Sequence, residues 1–408
     1  MSTELETYYG LPANVEFCTR CVYSNQRPNS VSEAAHTAES KKVTLRFDAD
    51  GLCDACRTAE LKESINWEER EQELVALLDK YRRTDGYYDC IVPGSGGKDS
   101  CYAAHVLKYK YGMNPLTVTW PPVLYTDYGY QNFRNWIEIG GFDNITMKQN
   151  GRTMKLLTRL AIENLFHPFQ TFIIGQKFMA PKLAVKMGIP LIFYGEHEAE
   201  FGNPIAETAS AVKQQAEYTM DNIDDIHFGG ASVRELREEH GLALGDLAAF
   251  LPVDPSEIDG SPIDFRYLGY YLKWLPQESY YYASEHMGFQ ARPFRTEGTY
   301  SKYLSLDDKI DDLNYYTYFI KFGFGRCTED ASQEIRNEHL TREEGCALVA
   351  RYDGEFPRRY FGEVMEYLEM DSDHFMELCD KFRSPHLWAK VGGDWKLRHT
   401  VNRDGIDD

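Results

Sequence analysis

The chain has no run of apolar residues that could cross a bilayer: nothing in its 408 residues approaches the ~18 that a membrane helix needs. Met1-Ser2-Thr3-Glu4-Leu5-Glu6 has neither a basic start nor an apolar stretch, so no secretory signal is expected. The expectation is a cytoplasmic protein without a membrane partner. Positive charge is also scarce. Lys and Arg number 44 against 64 Asp and Glu, a formal net charge of −20. A field of that sign opposes a phosphate backbone, and no nucleic-acid partner is expected. The histidines are scattered with no pair at metal-ligand spacing, and no Ser/His/Asp or Cys/His set can be picked out. The Walker spacing Gly-x-x-x-x-Gly-Lys-Ser/Thr is absent. There is no internal repeat and no low-complexity tract.

What remains is an ordinary globular composition, with 43% hydrophobic and 26% charged residues. The length suits two or three domains. The nine cysteines are an odd set, which disfavours a simple disulfide framework. Four of them form two knuckles, Cys18-x-x-Cys21 and Cys53-x-x-Cys56, and this pairing matches a zinc ribbon. Four thiolates give a closed tetrahedral site with no position left for water, so the zinc is expected to be structural. Cys90, Cys101, Cys327, Cys346 and Cys379 are dispersed.

The pattern of elements predicts an α/β fold. A helix is expected over about Trp67–Arg83, a strand at Tyr88–Val92 and a helix over Ser100–Tyr111. Further strands are expected at Leu116–Trp120, Asn144–Met147, Phe172-Ile173-Ile174 and Leu191–Tyr194. Helices at about Tyr130–Gly140, Met154–Asn164 and Ala180–Lys186 fall between them. Strands alternating with helices imply a parallel sheet covered on both faces. Beyond about Glu207 the pattern turns mainly helical, with a run of Tyr and Trp over 262–282 that reads as packing. The expected division is a zinc-ribbon-like module at 1–65, an α/β domain at 66–206, and a mainly helical portion at 207–408 that contacts substrate or partner.

The loop Pro93-Gly94-Ser95-Gly96-Gly97-Lys98-Asp99-Ser100 carries the strongest chemical signal. Gly94, Gly96 and Gly97 let the backbone turn with its amides inward. Ser95 and Ser100 add hydroxyls, Lys98 adds charge, and the next helix points its positive end at the same place. The order Ser-Gly-Gly-Lys-Asp-Ser resembles the PP-loop of ATP pyrophosphatases, which split ATP between its α and β phosphates; Asp99 would help to hold Mg²⁺. A second candidate, Glu196-His197-Glu198 with Glu200 and Asn203, follows the Leu191–Tyr194 strand, where ligands of open α/β sheets sit. Its ionisable groups suit proton handling, substrate orientation or Mg²⁺. Gly175-Gln176-Lys177 is a weaker candidate of the same kind. Two basic islands, with Arg292, Arg295 and Lys302 in one and Lys321 and Arg326 in the other, suit phosphates or a sugar carboxylate.

Taken together, these motifs resemble the N-acetyl sugar amidotransferases, PP-loop enzymes of lipopolysaccharide and pseudaminic-acid biosynthesis. The resemblance runs through Cys18-Thr19-Arg20-Cys21, Asp50-Gly51-Leu52-Cys53-Asp54-Ala55-Cys56, Asp89 to Ser100, and Tyr194-Gly195-Glu196-His197-Glu198. It continues through Phe322 to Ala331, Thr341-Arg342-Glu343-Glu344 and Tyr352-Asp353-Gly354-Glu355. It implies an adenine-nucleotide-alpha-hydrolase-like fold. The implied reaction converts an acetamido group to an acetamidino group, with ATP giving AMP and pyrophosphate. Lys98, Asp99, Glu196, His197 and Glu198 are the expected catalytic residues, and Glu200, Asn203, Arg292, Arg295, Lys302, Lys321 and Arg326 the expected substrate contacts. The chain has no N-terminal nucleophilic Cys and no Gly-x-Cys-x-Gly elbow, so ammonia is expected from a separate glutaminase. The rival enzyme class is tRNA thiolation, which also joins a zinc ribbon to a PP-loop. There Cys90 or Cys101 would be proposed as a catalytic thiol, although a buried small residue is the commoner use of such positions.

Overall fold

The structure is a computed structural model describing residues 5–29, 33–202, 210–220 and 222–402. At its centre lies a five-stranded, all-parallel sheet. Its strands are β1 (Cys90–Pro93), β2 (Pro115–Thr119), β3 (Asn144–Thr146), β4 (Leu191–Tyr194) and β5 (Asp264–Tyr267), in the spatial order β3-β2-β1-β4-β5. Ile91 of β1 pairs with Leu116 on one side and Ile192 on the other. All residues of β1 and β2 are buried, as expected where helices cover both faces of a parallel sheet.

Side-chain alternation sorts the strands between two cores. Ile91, Ile192 and Phe265 face one core with Leu157, Ile174, Phe178 and Phe250. Cys90, Val92, Leu191 and Phe193 face the other with Leu74, Leu78, Leu107 and Trp136. Helices at Trp67–Tyr81, Lys98–His105 and Asp127–Glu138 contribute to the second core, and those at Gly151–Leu165 and Gln170–Met187 to the first.

One expected strand is not formed. Phe172-Ile173-Ile174 lies in the first turns of the helix Gln170–Met187, so Gly175-Gln176-Lys177 is mid-helix rather than at a strand end. The apolar residues of this helix point all round it, and a short run of that kind has no periodicity to tell helix from strand. Gly175 is needed for the fit, since a Cβ there would stand 2.0 Å from the Trp120 ring. The helix stops at Gly188, which takes the left-handed conformation of a C-cap (φ +64°).

The sheet takes its fifth strand from the Tyr-rich stretch, where Phe265 and Tyr267 alternate inward. Beyond it, helices at Pro276–Met287, Asp311–Phe322, Arg326–Arg336, Arg342–Tyr352, Arg358–Leu368 and Ser372–Lys381 form most of the C-terminal portion, which closes with a hairpin, Trp388–Val391 with Asp394–Leu397. The N-terminal part holds the two cysteine knuckles, and a helix, Asp54–Glu63, starts inside the second. No helix among the described residues is long and apolar enough to cross a membrane.

Candidate functional site

The strand order reverses between β1 and β4: successive strands β2 and β3 lie to one side of β1, and β4 and β5 to the other. The loops after β1 and β4 therefore part at their carboxyl ends and leave a crevice, the usual ligand position in such sheets. Gly94–Ser100 leaves β1 there, and Gly195–Glu198 leaves β4. A Cβ on Gly195 would lie 3.0 Å from the Asp99 carbonyl, so the two loops are in direct contact.

The β1 loop admits no side chain at Gly96. Gly96 has φ +84°, and a Cβ on it would be 2.6 Å from Phe133 Cα and 2.8 Å from the Asn132 carbonyl. Gly97 is the N-cap of the helix Lys98–His105, whose free amides and dipole face the crevice. Ser95 Oγ donates to Asp307 at 2.8 Å, and Ser100 Oγ donates back to the Gly97 carbonyl at 3.0 Å. Lys98 is buried and donates to Asp99, whose other oxygen accepts from the Trp274 indole at 2.8 Å.

Ser95, Gly96, Gly97, Lys98, Asp99 and Trp274 line a cavity of about 240 Å³, together with Asn132, Glu196, Phe201, Asp307 and Arg326. A larger chamber of about 470 Å³ adjoins it, and Glu196, Phe201 and Arg326 line both. Glu196 is the carboxylate between them. Burial, reinforced by the charge of Asp99 and opposed by Lys98, pushes it up to about 7. Glu198 faces the larger chamber; burial raises it, but Lys213 (2.8 Å) and Lys177 more than offset this and hold it below the usual carboxylate range.

The other sequence candidates are dispersed. His197 packs on Tyr267 and Tyr270 and bonds the Ser210 carbonyl at 3.1 Å, and burial lowers its pKa. Glu200 forms a buried pair with Lys62 at 2.6 Å. Arg292 is tied to Thr296 and to the Ser305 carbonyl, and Arg295 makes a bidentate pair with Glu355 (2.5 and 2.6 Å). Lys302 is exposed. None of these five lines either cavity. Lys321 and Arg326 do: Lys321 faces the larger chamber, and Arg326 faces both while pairing with Asp330 at 2.7 Å. Asn203 lies outside the described residues. Sequence reasoning passed over Trp274, Asp307, Asn132, Lys213 and Tyr267. Trp274 and Tyr267 sat in the Tyr- and Trp-rich run that reads as packing, and the others carried no local signal.

The four knuckle cysteines meet. The Sγ atoms of Cys18, Cys21, Cys53 and Cys56 all lie within 4.8 Å of one another and are buried; Cys18–Cys56 and Cys21–Cys53 are each 3.7 Å apart. Sulfurs held ~2.3 Å from a common tetrahedral centre stand about 3.8 Å apart, so the donor set fits zinc. Arg342 donates to the carbonyls of Cys18 and Cys21, both at 3.2 Å, pinning the knuckle to the Arg342–Tyr352 helix. Lys62, six residues after Cys56, bonds the Trp274 carbonyl at 2.8 Å as well as Glu200. The cysteine module thereby braces the wall of the crevice. Cys90 and Cys101 are fully buried, line neither cavity, and are pushed up by burial.

Fold and site together define an α/β protein with a glycine-rich loop at the switch point of a parallel sheet and a buried four-cysteine cluster beside it. Residues 297–402 match the model of the C-terminal domain of the LPS biosynthesis protein WbpG-like family. The chain is also similar to an uncharacterized protein of Methanocaldococcus jannaschii, MJ1599, at 37% identity over 87 residues. That match covers 21% of this chain and 31% of the relative, so the chain spans about a third of it.

Proposed function

We propose that the chain is an ATP-dependent amidotransferase that converts an acetamido group of an N-acetylated sugar to an acetamidino group. The observation that carries this reading is the meeting of the Gly94–Ser100 loop with Glu196 across the carboxyl ends of β1 and β4, in a chain with a WbpG-like C-terminal domain. Loop amides, Lys98 and the helix end at Gly97 would hold the β and γ phosphates of ATP. Mg²⁺, when bound, would neutralise phosphate charge, with Asp99 as the nearest carboxylate of the loop.

An amide oxygen is a poor leaving group. In the proposed first step it attacks the α-phosphorus and the bond to the β-phosphate breaks. Pyrophosphate leaves and an O-adenylyl imidate remains. Ammonia then adds to the imidate carbon and gives up a proton, and AMP departs with the former amide oxygen. The loop's donors stabilise charge where it grows, on the leaving pyrophosphate. Glu196, lying between the two cavities and near-neutral in pKa, is placed to take the proton lost by the adding ammonia. The ammonia would come from a separate glutaminase.

The test is mass spectrometry of acetamido sugars incubated with the protein, ATP, Mg²⁺ and ammonium. The expected product is lighter by the difference between O and NH, with AMP and pyrophosphate formed in equal amount. ATP turnover to ADP, or tight ATP binding with no change in any acetamido sugar, would sink the reading.

A further inference from the structure

The cavity at the Gly94–Ser100 loop has the wrong balance of charge for a bare polyphosphate. Its charged lining consists of two cations, Lys98 and Arg326, and three carboxylates, Asp99, Glu196 and Asp307. Both cations already face a carboxylate: Lys98 donates to Asp99, and Arg326 pairs with Asp330 at 2.7 Å. Asp307 forms no ion pair among the described residues. Its side chain accepts one hydrogen bond, from Ser95 Oγ at 2.8 Å, which sets the carboxylate against the loop itself. Behind it stand further acids. Asp311 is pushed well above the usual carboxylate range by burial first, then by Asp307, Asp308 and Asp312, with Arg326 opposing.

The backbone fixes Asp307 in this place. The Thr126 amide donates to the Asp307 carbonyl at 3.0 Å, and the Lys309 amide donates to the Leu124 carbonyl at 2.8 Å. The next carboxylate along, Asp308, accepts from the amides of Val123 and Leu124 at 2.5 and 3.3 Å. Gly129 lets the segment lie on the first turn of the helix Asp127–Glu138, since a Cβ there would stand 2.3 Å from Asp307 Cα. Residues 303–307 thus form a fixed wall of the cavity, and they belong to the WbpG-like C-terminal portion rather than to the sheet. Nothing in these contacts needs a negative charge. An asparagine would offer the Ser95 hydroxyl the same acceptor oxygen.

A carboxylate without a counter-cation repels a polyphosphate brought beside it, and the repulsion is stronger in a cleft than in bulk water. Mg²⁺ bound to the phosphates cancels much of their charge and reverses the sign of the local field. We propose that Asp307 is a specificity residue of this cavity, its charge turning away uncomplexed ATP and admitting the Mg²⁺ complex. The proposal rests on ATP as the occupant, as in the function proposed above. It places the discrimination in the C-terminal portion, outside the glycine-rich loop.

The test is calorimetric ATP binding to the full chain, without acceptor sugar or ammonium, in excess Mg²⁺ and again in excess EDTA. Wild type should bind the Mg²⁺ complex roughly tenfold or more tighter than free ATP, the scale of one close unpaired charge at the effective dielectric of a protein cleft. Asp307→Asn should bind free ATP roughly tenfold tighter than wild type does, with little change for the Mg²⁺ complex. Asp307→Ala, which also loses the Ser95 contact, should narrow the gap in the same direction on a lower affinity for both forms. The proposal is overturned if Asp307→Asn leaves free-ATP affinity at the wild-type value. It is overturned equally if the gap narrows only through loss of the Mg²⁺ complex, which would make Asp307 a metal ligand, or if both forms weaken alike, which would make it a structural residue. A wild-type chain that binds ATP in neither condition sinks the function proposed above together with this proposal; ATP binding with an unmoved gap sinks this one alone.

Discussion

The indole nitrogen of Trp274 donates to Asp99 Oδ1 at 2.8 Å, and the carbonyl of the same Trp274 accepts from Lys62. One residue from the Tyr- and Trp-rich stretch thus fixes the loop carboxylate and is itself fixed by the helix that follows the second cysteine knuckle.

Trp274→Phe keeps most of the ring and removes the N–H. A hydrogen bond to a charged group contributes about 1.5–3 kcal/mol, so ATP-dependent pyrophosphate release should fall by roughly ten- to a hundredfold in kcat/KM. Far-UV circular dichroism should stay unchanged, because the ring still packs against Phe201. Undiminished turnover would show that Asp99 does not need this partner.

Gly96→Ala puts a methyl group against the Asn132–Phe133 backbone at a positive φ. It should abolish measurable ATP binding and cost about 1–3 kcal/mol of stability, read by thermal unfolding and calorimetry. Gly151→Ala, where a Cβ meets nothing within 4 Å, is the matched control.

Metal analysis should return one zinc per chain. Cys21→Ser, or prolonged chelation, should lower the unfolding temperature, because the cluster holds the Arg342 contacts and the start of the Asp54–Glu63 helix. A metal-free chain with an unchanged melting curve would remove zinc from the structure.

The raised pKa of Glu196 has a definite sign for stability. The folded chain keeps its proton up to about 7, while the unfolded chain releases it near 4.5. Its contribution to stability is complete below 4.5 and is lost as pH rises through 7. Without nucleotide or Mg²⁺, Glu196→Gln should therefore gain stability relative to wild type between pH 5 and 8. Denaturant titrations across that range check it; a difference independent of pH would place the Glu196 pKa near its ordinary value.

Cys90→Ala and Cys101→Ala should leave turnover within about threefold, since effects away from the reacting groups are small. Both thiols are buried and disfavoured as thiolates. Loss of activity in either without loss of fold would revive the thiolation reading.

The sequence by itself determined what local chemistry dictates. The glycine spacing of Gly94–Gly97 marked a tight turn after β1, and Gly96 takes the positive φ that such a turn requires. The strand at Leu191–Tyr194 showed because a short apolar run stood between turn signals, and the knuckle spacing marked four cysteines for one centre. It failed at Phe172–Ile174, where a helix apolar all round has no period to read, and at Asp264–Tyr267, where the edge strand was hidden among aromatics.

Only the tertiary structure decided the partners. Glu196 and Asp99 lie 97 positions apart in the sequence and meet because β1 and β4 are neighbours. Trp274 and Asp307 join the same cavity from beyond the sheet, while Arg292, Arg295 and Lys302, equally basic in the sequence, are spent elsewhere or left in solvent. A sequence records which charges exist; which of them face each other depends on chain crossings of about a hundred residues or more, and those are fixed by how the two cores pack against the sheet.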